Sequence, residues 1–472
     1  MSLDSASIEH IVNEVVSRLQ SGGGRSAPKV PMDVSGGNGV FSDMDDAIAA
    51  ATVAQRELVA LSLEDRERIV AAMRQCTLDQ LDALAREAVQ ETGLGRVDDK
   101  IQKNRLVATK TPGTEILTPW VRTGDHGLTL EERAPYGVIG AITPCTNPTE
   151  TILCNGLGFV AAGNSAVFNV HPAAKRLSAR FIADLNRAIV GAGGPRNLLA
   201  CIAEPTIESA GQLMTHSGIR LVVVTGGGAV VRAAMTSGKR CIAGGPGNPP
   251  VVVDETADLD AAARGIIAGA SFDNNIICTD EKEVLAVESI ADQLRDKMVA
   301  TGQAFLVKGD ALRRLEQLII TPDHHVNREY IGKDAAFILD AIGVRAPAQT
   351  RLIIADTDES HPFVQHELLT PIVGIVRYPD VQAAIDGAVR CEHGYGHTAS
   401  MWSRNLDHLH AMARVCNTSI YIKNASNFAG LGHGGEGHTS FTIASPTGEG
   451  LTTALSFSRI RRCTLKDRFR IV

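Results

Sequence analysis

From Tyr136 onward the chain alternates short β-branched apolar runs with longer stretches of helical period, and no other feature restricts its fold as much. GVIGAIT (137–143), SAVFNV (165–170), LLACIAE (198–204) and IRLVVVTGG (219–227) have strand length. Between them lie TETILCNGLGFVAAG, AAKRLSARFIADLNRAIVGAG and a third helical stretch. Strand–helix–strand alternation with strands this apolar predicts an α/β domain whose parallel sheet is covered on both faces. A second α/β stretch runs from about residue 250 to 430, and a Thr/Ser-rich, β-like tail follows at 438–462. Residues 43–108 are helical in pattern, with a capping-box-like Ser62-Leu63-Glu64-Asp65. No fixed-period repeat is present. A chain of 472 residues holds about two large domains or three ordinary ones.

Residues 1–20 read as a separate piece. Ile8, Ile11, Val12, Val15, Val16 and Leu19 recur at helical spacing, and residues 21–40 are rich in Gly, Ser and Pro, as in a flexible linker. Such a stripe either folds back on the body or docks into a partner's groove. Asp4, Glu9 and Glu14 stand where a secretory signal would be basic or apolar. No apolar run approaches the ~18 residues of a transmembrane helix. A formal charge of −7 and a pI near 6.1 exclude a generally basic nucleic-acid binder. The 9 cysteines are scattered and include no C-x-x-C, so neither a disulfide framework nor a structural metal site is expected. The expected setting is a reducing, cytoplasmic one.

Four segments carry candidate chemistry. LVVVTGGG (221–228) is a strand, a glycine turn and a helix start, either a plain turn or an anion cradle of free backbone N–H groups. In FDNNIICT (272–279), Cys278 follows a polar loop and precedes the polar TDEKE. It is either a core thiol or a nucleophile in a cleft, whereas Cys154 and Cys241 look like core residues. In HELLTP (366–371), Glu367 is either a ribose ligand or a solvated carboxylate. In CEHGYGHTA (391–399), His393 and His397 are acid–base groups, surface histidines, or a metal pair lacking further ligands.

In this order the segments resemble the aldehyde dehydrogenase superfamily from about residue 41 onward. The resemblance rests on APYGVIGAITPCTNPTET (134–151), VVVTGGGAVVRAA (222–234), GGPGNPPVVVD (244–254), the Cys278 segment, HELLTPIVG (366–374) and GGEGHTSFTIASPTGEG (434–450). ETGLGRVDDKIQKN (91–104), TPCTNPTET and the closing segment are similar to the CoA-acylating branch found in bacterial microcompartments, the propionaldehyde and acetaldehyde dehydrogenases. Hydrolytic members carry a Glu general base in Glu-Leu-Gly-Gly. Here the run is Ile242-Ala243-Gly244-Gly245.

The resemblance implies an aldehyde dehydrogenase-like α/β fold: a Rossmann-type cofactor domain at 41–240 and an α/β catalytic domain at 241–437. A small β oligomerisation element would combine 115–135 with 438–472, making a homodimer or homotetramer. It implies Cys278 as nucleophile and His397 as base for the thiols. The oxyanion would be held by Thr146 or Asn147, and Glu367 would bind the nicotinamide ribose. NAD and coenzyme A would share a cleft lined by Thr143, Pro144, Cys145, His171, Pro172, Thr225, Gly226, Gly227, Gly245, Leu369 and Pro371. The expected reaction takes a short-chain aldehyde, propionaldehyde favoured over acetaldehyde, to its acyl-CoA. Residues 1–20 would be an encapsulation helix for a microcompartment shell protein. A hydrolytic enzyme and a catalytically silent scaffold are the competing readings; Ile242 argues against the first, and Cys278, Glu367 and the TGGG turn against the second.

Overall fold

The computed structural model describes residues 38–472, so the expected helix at 1–20 and most of the 21–40 linker lie outside the described residues. Val40, assigned to the linker, already belongs to the body: it is buried and opens β1 (Val40–Phe41). Four helices follow, Met44–Val59, Leu63–Leu78, Leu81–Thr92 and Val97–Lys110. The second opens on a true capping box: Ser62 Oγ accepts from Asp65 N, and Asp65 Oδ2 accepts from Ser62 N.

After a hairpin of β2 (Trp120–Gly124) and β3 (Gly127–Pro135), the alternating region forms β4 (Val138–Ile142), β5 (Ser165–Asn169), β6 (Leu199–Ile202), β7 (Ile219–Thr225) and β8 (Cys241–Gly244). With β1 these make a parallel sheet in the order β1-β6-β5-β4-β7-β8. Both faces carry helices, which is why Val138–Ile142 and Ser165–Asn169 are buried at every position. The strand order reverses between β4 and β7. In an open α/β sheet a ligand crevice lies at the carboxyl ends of the strands flanking such a switch. β4 ends into Thr143–Asn147 and β7 ends into Gly226-Gly227.

The second sheet is also parallel: β9 (Pro250–Val253), β10 (Glu283–Val287), β11 (Ala304–Leu306), β12 (Leu352–Thr357), β13 (Ile372–Tyr378), β14 (Thr398–Trp402) and β15 (Ile420–Lys423). They stand in the order β11-β12-β13-β10-β9-β14-β15. One face packs Val251, Val284, Ile354 and Val373 on the helices Leu259–Ala270 and Glu288–Ala300. The other packs Val252, Leu285 and Met401 on Val381–Cys391 and Leu406–Cys416.

The chain closes with a short hairpin, β16 (Ile443–Ala444) and β17 (Gly450–Leu451), and then β18 (Ser458–Lys466). β18 pairs antiparallel with the whole of β3, so the sheet order is β18-β3-β2. Two expected boundaries move. The first sheet runs past residue 240 to Gly244, because β8 pairs with β7. Residues 438–457 are not part of the three-stranded sheet. β16 lies against β8, where a Cβ on Gly244 would stand 3.1 Å from Ile443 O, and Phe457 packs edge-on against Phe159 at 4.6 Å.

Candidate active site

Cys278, Glu367 and His397 precede β10, β13 and β14, so all three stand at the amino-terminal edge of the second sheet. The loop that presents Cys278 is unusual. Asp273, Asn274 and Asn275 take φ of 46°, 57° and 66°, three consecutive left-handed residues. Asp and Asn tolerate this conformation better than other side-chain-bearing residues, and each is tied down here. Asn274 Nδ2 donates to Gly332 O at 2.9 Å, and Asn275 Nδ2 donates to Ala270 O at 2.8 Å and Glu281 O at 2.9 Å. Asp273 Oδ1 accepts from Arg96 N at 2.7 Å.

Asp273 Oδ2 takes Lys103 Nζ at 2.5 Å and Lys100 Nζ at 3.0 Å, all three side chains fully buried. The two lysines join this loop to the end of β4. Lys100 Nζ donates to Thr146 O at 3.2 Å, and Lys103 Nζ donates to Asn147 Oδ1 at 2.6 Å and lies 3.5 Å from Glu150 Oε1. Burial pushes the Lys100 ammonium down against the pull of Asp273. Burial acts on Lys103 too, but there Asp273 and Glu150 outweigh it and hold the ammonium above its ordinary value. The cluster is a single buried tie between two loops: the oxyanion candidates on one side and the nucleophile loop on the other.

Cys278 keeps part of its surface open while Ile276, Ile277 and Thr279 are buried. Its thiol is pushed up to about 12, first by burial, then by the charge of Glu367, with Lys282 opposing. Glu367 is half-buried; burial raises its carboxyl, and Lys282 and a hydrogen bond from the Gly247 backbone oppose that. Gly247 separates the nucleophile from the histidine: a Cβ there would lie 2.8 Å from Cys278 O and 2.9 Å from His397 Cγ. His397 is buried, with Nδ1 2.8 Å from Thr398 Oγ1 and Nε2 without a partner. Burial and the Lys282 charge push its imidazole down to about 3, so it is neutral. His393 is exposed, with Nε2 3.1 Å from Gln365 O, and no metal-binding group of His, Cys, Asp or Glu occurs among the described residues.

The TDEKE stretch departs from its expected polarity, since Thr279, Asp280, Glu281, Lys282 and Glu283 are all buried. Cys154 is buried as expected, whereas Cys241 is half-exposed at the edge strand β8.

The expected cofactor residues divide. Gly227 is the exposed N-cap of the helix Gly228–Met235 and has no side-chain cap, and a Cβ on it would meet nothing within 4 Å. Its free N–H groups fit a phosphate. Thr143 is buried with an orphaned Oγ1 at the adjoining strand end. Pro144 and Cys145 are half-exposed beside it, and His171 and Pro172 are exposed at the end of β5. Thr225 Oγ1 pairs with Thr442 Oγ1 at 2.7 Å, and Gly245 has room only up to Pro446, 3.0 Å from a Cβ. Leu369 is half-buried and its carbonyl is taken by Gly332 N at 2.9 Å. Pro371 is buried, and its carbonyl accepts from Ile353 N at 2.8 Å.

Lys100, Lys103, Asp273, Lys282 and Gly247 were not singled out from the sequence. The signals available were the Asp-Asn-Asn run and the Asp99, Lys100, Lys103 and Asn104 spacing, which puts four polar residues on one buried helix face.

Comparison with known proteins shows the family to which the chain belongs. A family model described as the aldehyde dehydrogenase family matches residues 35–455. The acetylating acetaldehyde dehydrogenase EutE of Escherichia coli (strain K12) is 48% identical over 475 residues, covering 100% of both chains. A propionaldehyde dehydrogenase from the Clostridium phytofermentans fucose utilisation bacterial microcompartment superposes with a TM-score of 0.91 at 47% identity, over 92% of this chain and 100% of that one. A Rhodopseudomonas palustris propionaldehyde dehydrogenase, solved with bound CoA and an acylated cysteine, gives a TM-score of 0.90 at 45% identity, over 91% and 98%.

Proposed function

The chain belongs to the aldehyde dehydrogenase family, and from that premise we propose that it is a CoA-acylating member, converting a short-chain aldehyde, CoA and NAD⁺ to acyl-CoA and NADH. The observation that carries this reading is Ile242. It is fully buried in β8, at the position where hydrolytic members carry their general base. Without that carboxylate, water gains little help in attacking a thioester. A thiol is far more ionised near neutral pH than water is and needs less.

Cys278 Sγ attacks the aldehyde carbonyl and forms a thiohemiacetal. Its oxygen is stabilised by the Cys278 backbone N–H and by the side-chain donors of the Thr146/Asn147 pair. When bound, the nicotinamide accepts the hydride and CoA supplies the second thiol. Loss of hydride leaves an acyl thioester on Cys278, which the second thiol takes over. His397, whose Nε2 has no partner, would accept a thiol proton there once Nδ1 carries its own proton and donates to Thr398 Oγ1. Being neutral and hard to protonate, it holds that proton only in passing. Glu367 would hold the nicotinamide ribose, and Gly227 and the uncapped helix start the pyrophosphate, with Thr143 Oγ1 as a further partner, while Gly226 lines the turn with its N–H donated to Gly244 O at 3.1 Å.

The same reading extends to assembly. The β18-β3-β2 sheet exposes Trp120, Val121 and Ile460, which suits contact with a second copy in a homodimer or homotetramer. Residues 1–20 would dock on a microcompartment shell protein and place the enzyme inside the compartment. No helix among the described residues is long and apolar enough to cross a membrane.

Product analysis tests the reaction. The acyl-CoA should form with CoA present, and NADH formation should stall near one turnover without it. Sustained release of free acid without CoA would select the hydrolytic reading.

A further inference from the structure

Lys282 is a buried cation with no counter-ion in contact. Its Nζ donates to Asn275 O at 2.9 Å, to Asn275 Oδ1 at 2.6 Å and to Ile277 O at 3.2 Å. All three acceptors are neutral, and they belong to the residues leading into Cys278. Among the described residues no carboxylate pairs with Nζ, although the neighbouring chain is rich in them. Asp280 Oδ2 is spent on Ile277 N at 3.1 Å, Glu281 Oε1 on Asn427 N at 2.8 Å, and both oxygens of Glu283 have no partner at all.

A buried ammonium without a compensating anion is costly, and such groups are ordinarily paired. The hydrogen bonds satisfy its three N–H donors but not its charge. Besides Asp280, Glu281 and Glu283, whose carboxyls it pulls down against burial, two ionisable groups of the site lie within its field, the Cys278 thiol and the Glu367 carboxyl, and it also disfavours a proton on His397. Of these, Cys278 changes charge in the reaction proposed above.

We propose that Lys282 is the positioning residue that prepares Cys278 for attack: its three bonds hold the turn, and its unpaired charge is the counter-ion of the thiolate. The step is a proton transfer. The Cys278 S–H bond breaks, the proton leaves to His397 Nε2 or to water, and the electron pair stays on sulfur, within the field of the Lys282 charge. The groups facing the thiol are Glu367 from the segment before β13, which opposes ionisation, Asp280 from its own turn, which also opposes it, and neutral His397 before β14. Lys282 is the one cation of the set. The inference rests on Cys278 being the nucleophile, but its test does not use turnover.

The test is the pH dependence of Cys278 alkylation by iodoacetamide, followed by mass spectrometry of the Cys278 peptide, with exposed Cys463 as internal control. Lys282→Gln keeps hydrogen-bond donors and removes the charge. Its Cys278 should alkylate at least tenfold more slowly at pH 7 with the midpoint moved upward, while Cys463 is unchanged. Lys282→Arg keeps the charge and should stay within threefold of the parent protein. If Lys282→Gln does not fold, the arginine variant still decides, because a slowing of tenfold or more there overturns the proposal. It is also overturned if the glutamine profile superimposes on that of the parent. Failure of the nucleophile reading is a separate outcome: Cys278→Ala that still forms NADH sinks that reading whatever the alkylation shows.

Discussion

Lys103 donates from Nζ to Oδ1 of Asn147 at 2.6 Å, and that one bond decides which way the Asn147 amide faces. Lysine is a donor only, so the amide oxygen must point at it and the NH2 must point away. Nδ2 accordingly lies 3.2 Å from Thr146 Oγ1. Thr146 accepts from Asn147 there and is left with its own hydroxyl hydrogen to give.

The two oxyanion candidates therefore make separable predictions. If Asn147 is the donor, Asn147→Ala should lower kcat by about 10²–10³, the usual effect of losing one oxyanion-hole donor. Thr146→Val should then cost less than tenfold. Steady-state kinetics of both variants checks this, and the reverse ranking would move the role to Thr146.

Lys103→Met should be destabilising as well as slow. It leaves Glu150 buried without its ammonium and Asp273 with Lys100 alone, and breaking a buried pair by removing one partner costs about 3–5 kcal/mol. Urea unfolding should show that loss. Double replacement of Lys103 and Asp273 by apolar residues should recover part of the stability but not the activity.

Glu367→Gln should weaken use of NAD by roughly 1.5–3 kcal/mol, the value of a hydrogen bond to a charged group. CoA binding should be spared. Kinetics at varied NAD with fixed CoA measures the effect, and an unchanged NAD dependence would remove Glu367 from the ribose site.

The acid–base state of the buried TDEKE carboxyls sets a pH dependence of stability. Burial pushes Glu281 up to about 8, above the ordinary glutamate value of about 4.5. The folded chain then binds more protons than the unfolded one across this interval. The contribution of Glu281 is fully present below about pH 4.5 and is lost as pH climbs through about 8. Glu281→Gln should flatten that part of the stability curve, as read from Tm between pH 5 and 9. A curve as steep as the parent's would assign the slope to other groups.

Deleting residues 1–20 should leave specific activity unchanged, and fusing them to a fluorescent protein should carry it into shells in cells that make them. A single amphipathic helix of this length is barely stable in water and gains little unless its stripe is buried. If the truncated enzyme loses activity or melts earlier, the segment belongs to the folded body.

Much of this was legible in the sequence because it is local. The alternation after Tyr136 became two parallel sheets, LVVVTGGG became β7 and an uncapped helix start, and Ser62-Leu63-Glu64-Asp65 became a capping box. What was missed depends on distant partners. Lys100 and Lys103 look like the wet face of a helix until Asp273, some 173 residues from Lys100, is brought onto them. Burial of TDEKE follows from β10 standing in the middle of a sheet covered on both faces, which no periodicity in five polar residues announces. The boundary at 240 failed because β8 follows its helix after only a short turn and joins the same sheet.

The pairing of β3 with β18 has a consequence for how the protein is made. Arg462 and Glu131, salt-bridged across these strands, are 331 residues apart in the chain. At ribosomal rates of about 5–20 residues per second, the β2–β3 hairpin waits roughly 15–65 seconds for its third strand. During that interval β3 presents an open row of N–H and C=O groups, a template for pairing with any other nascent chain. On polysomes the hairpin is therefore exposed to mispairing. Slower translation between β3 and β18, or a shortage of holdase chaperones, should show first as aggregated rather than inactive enzyme.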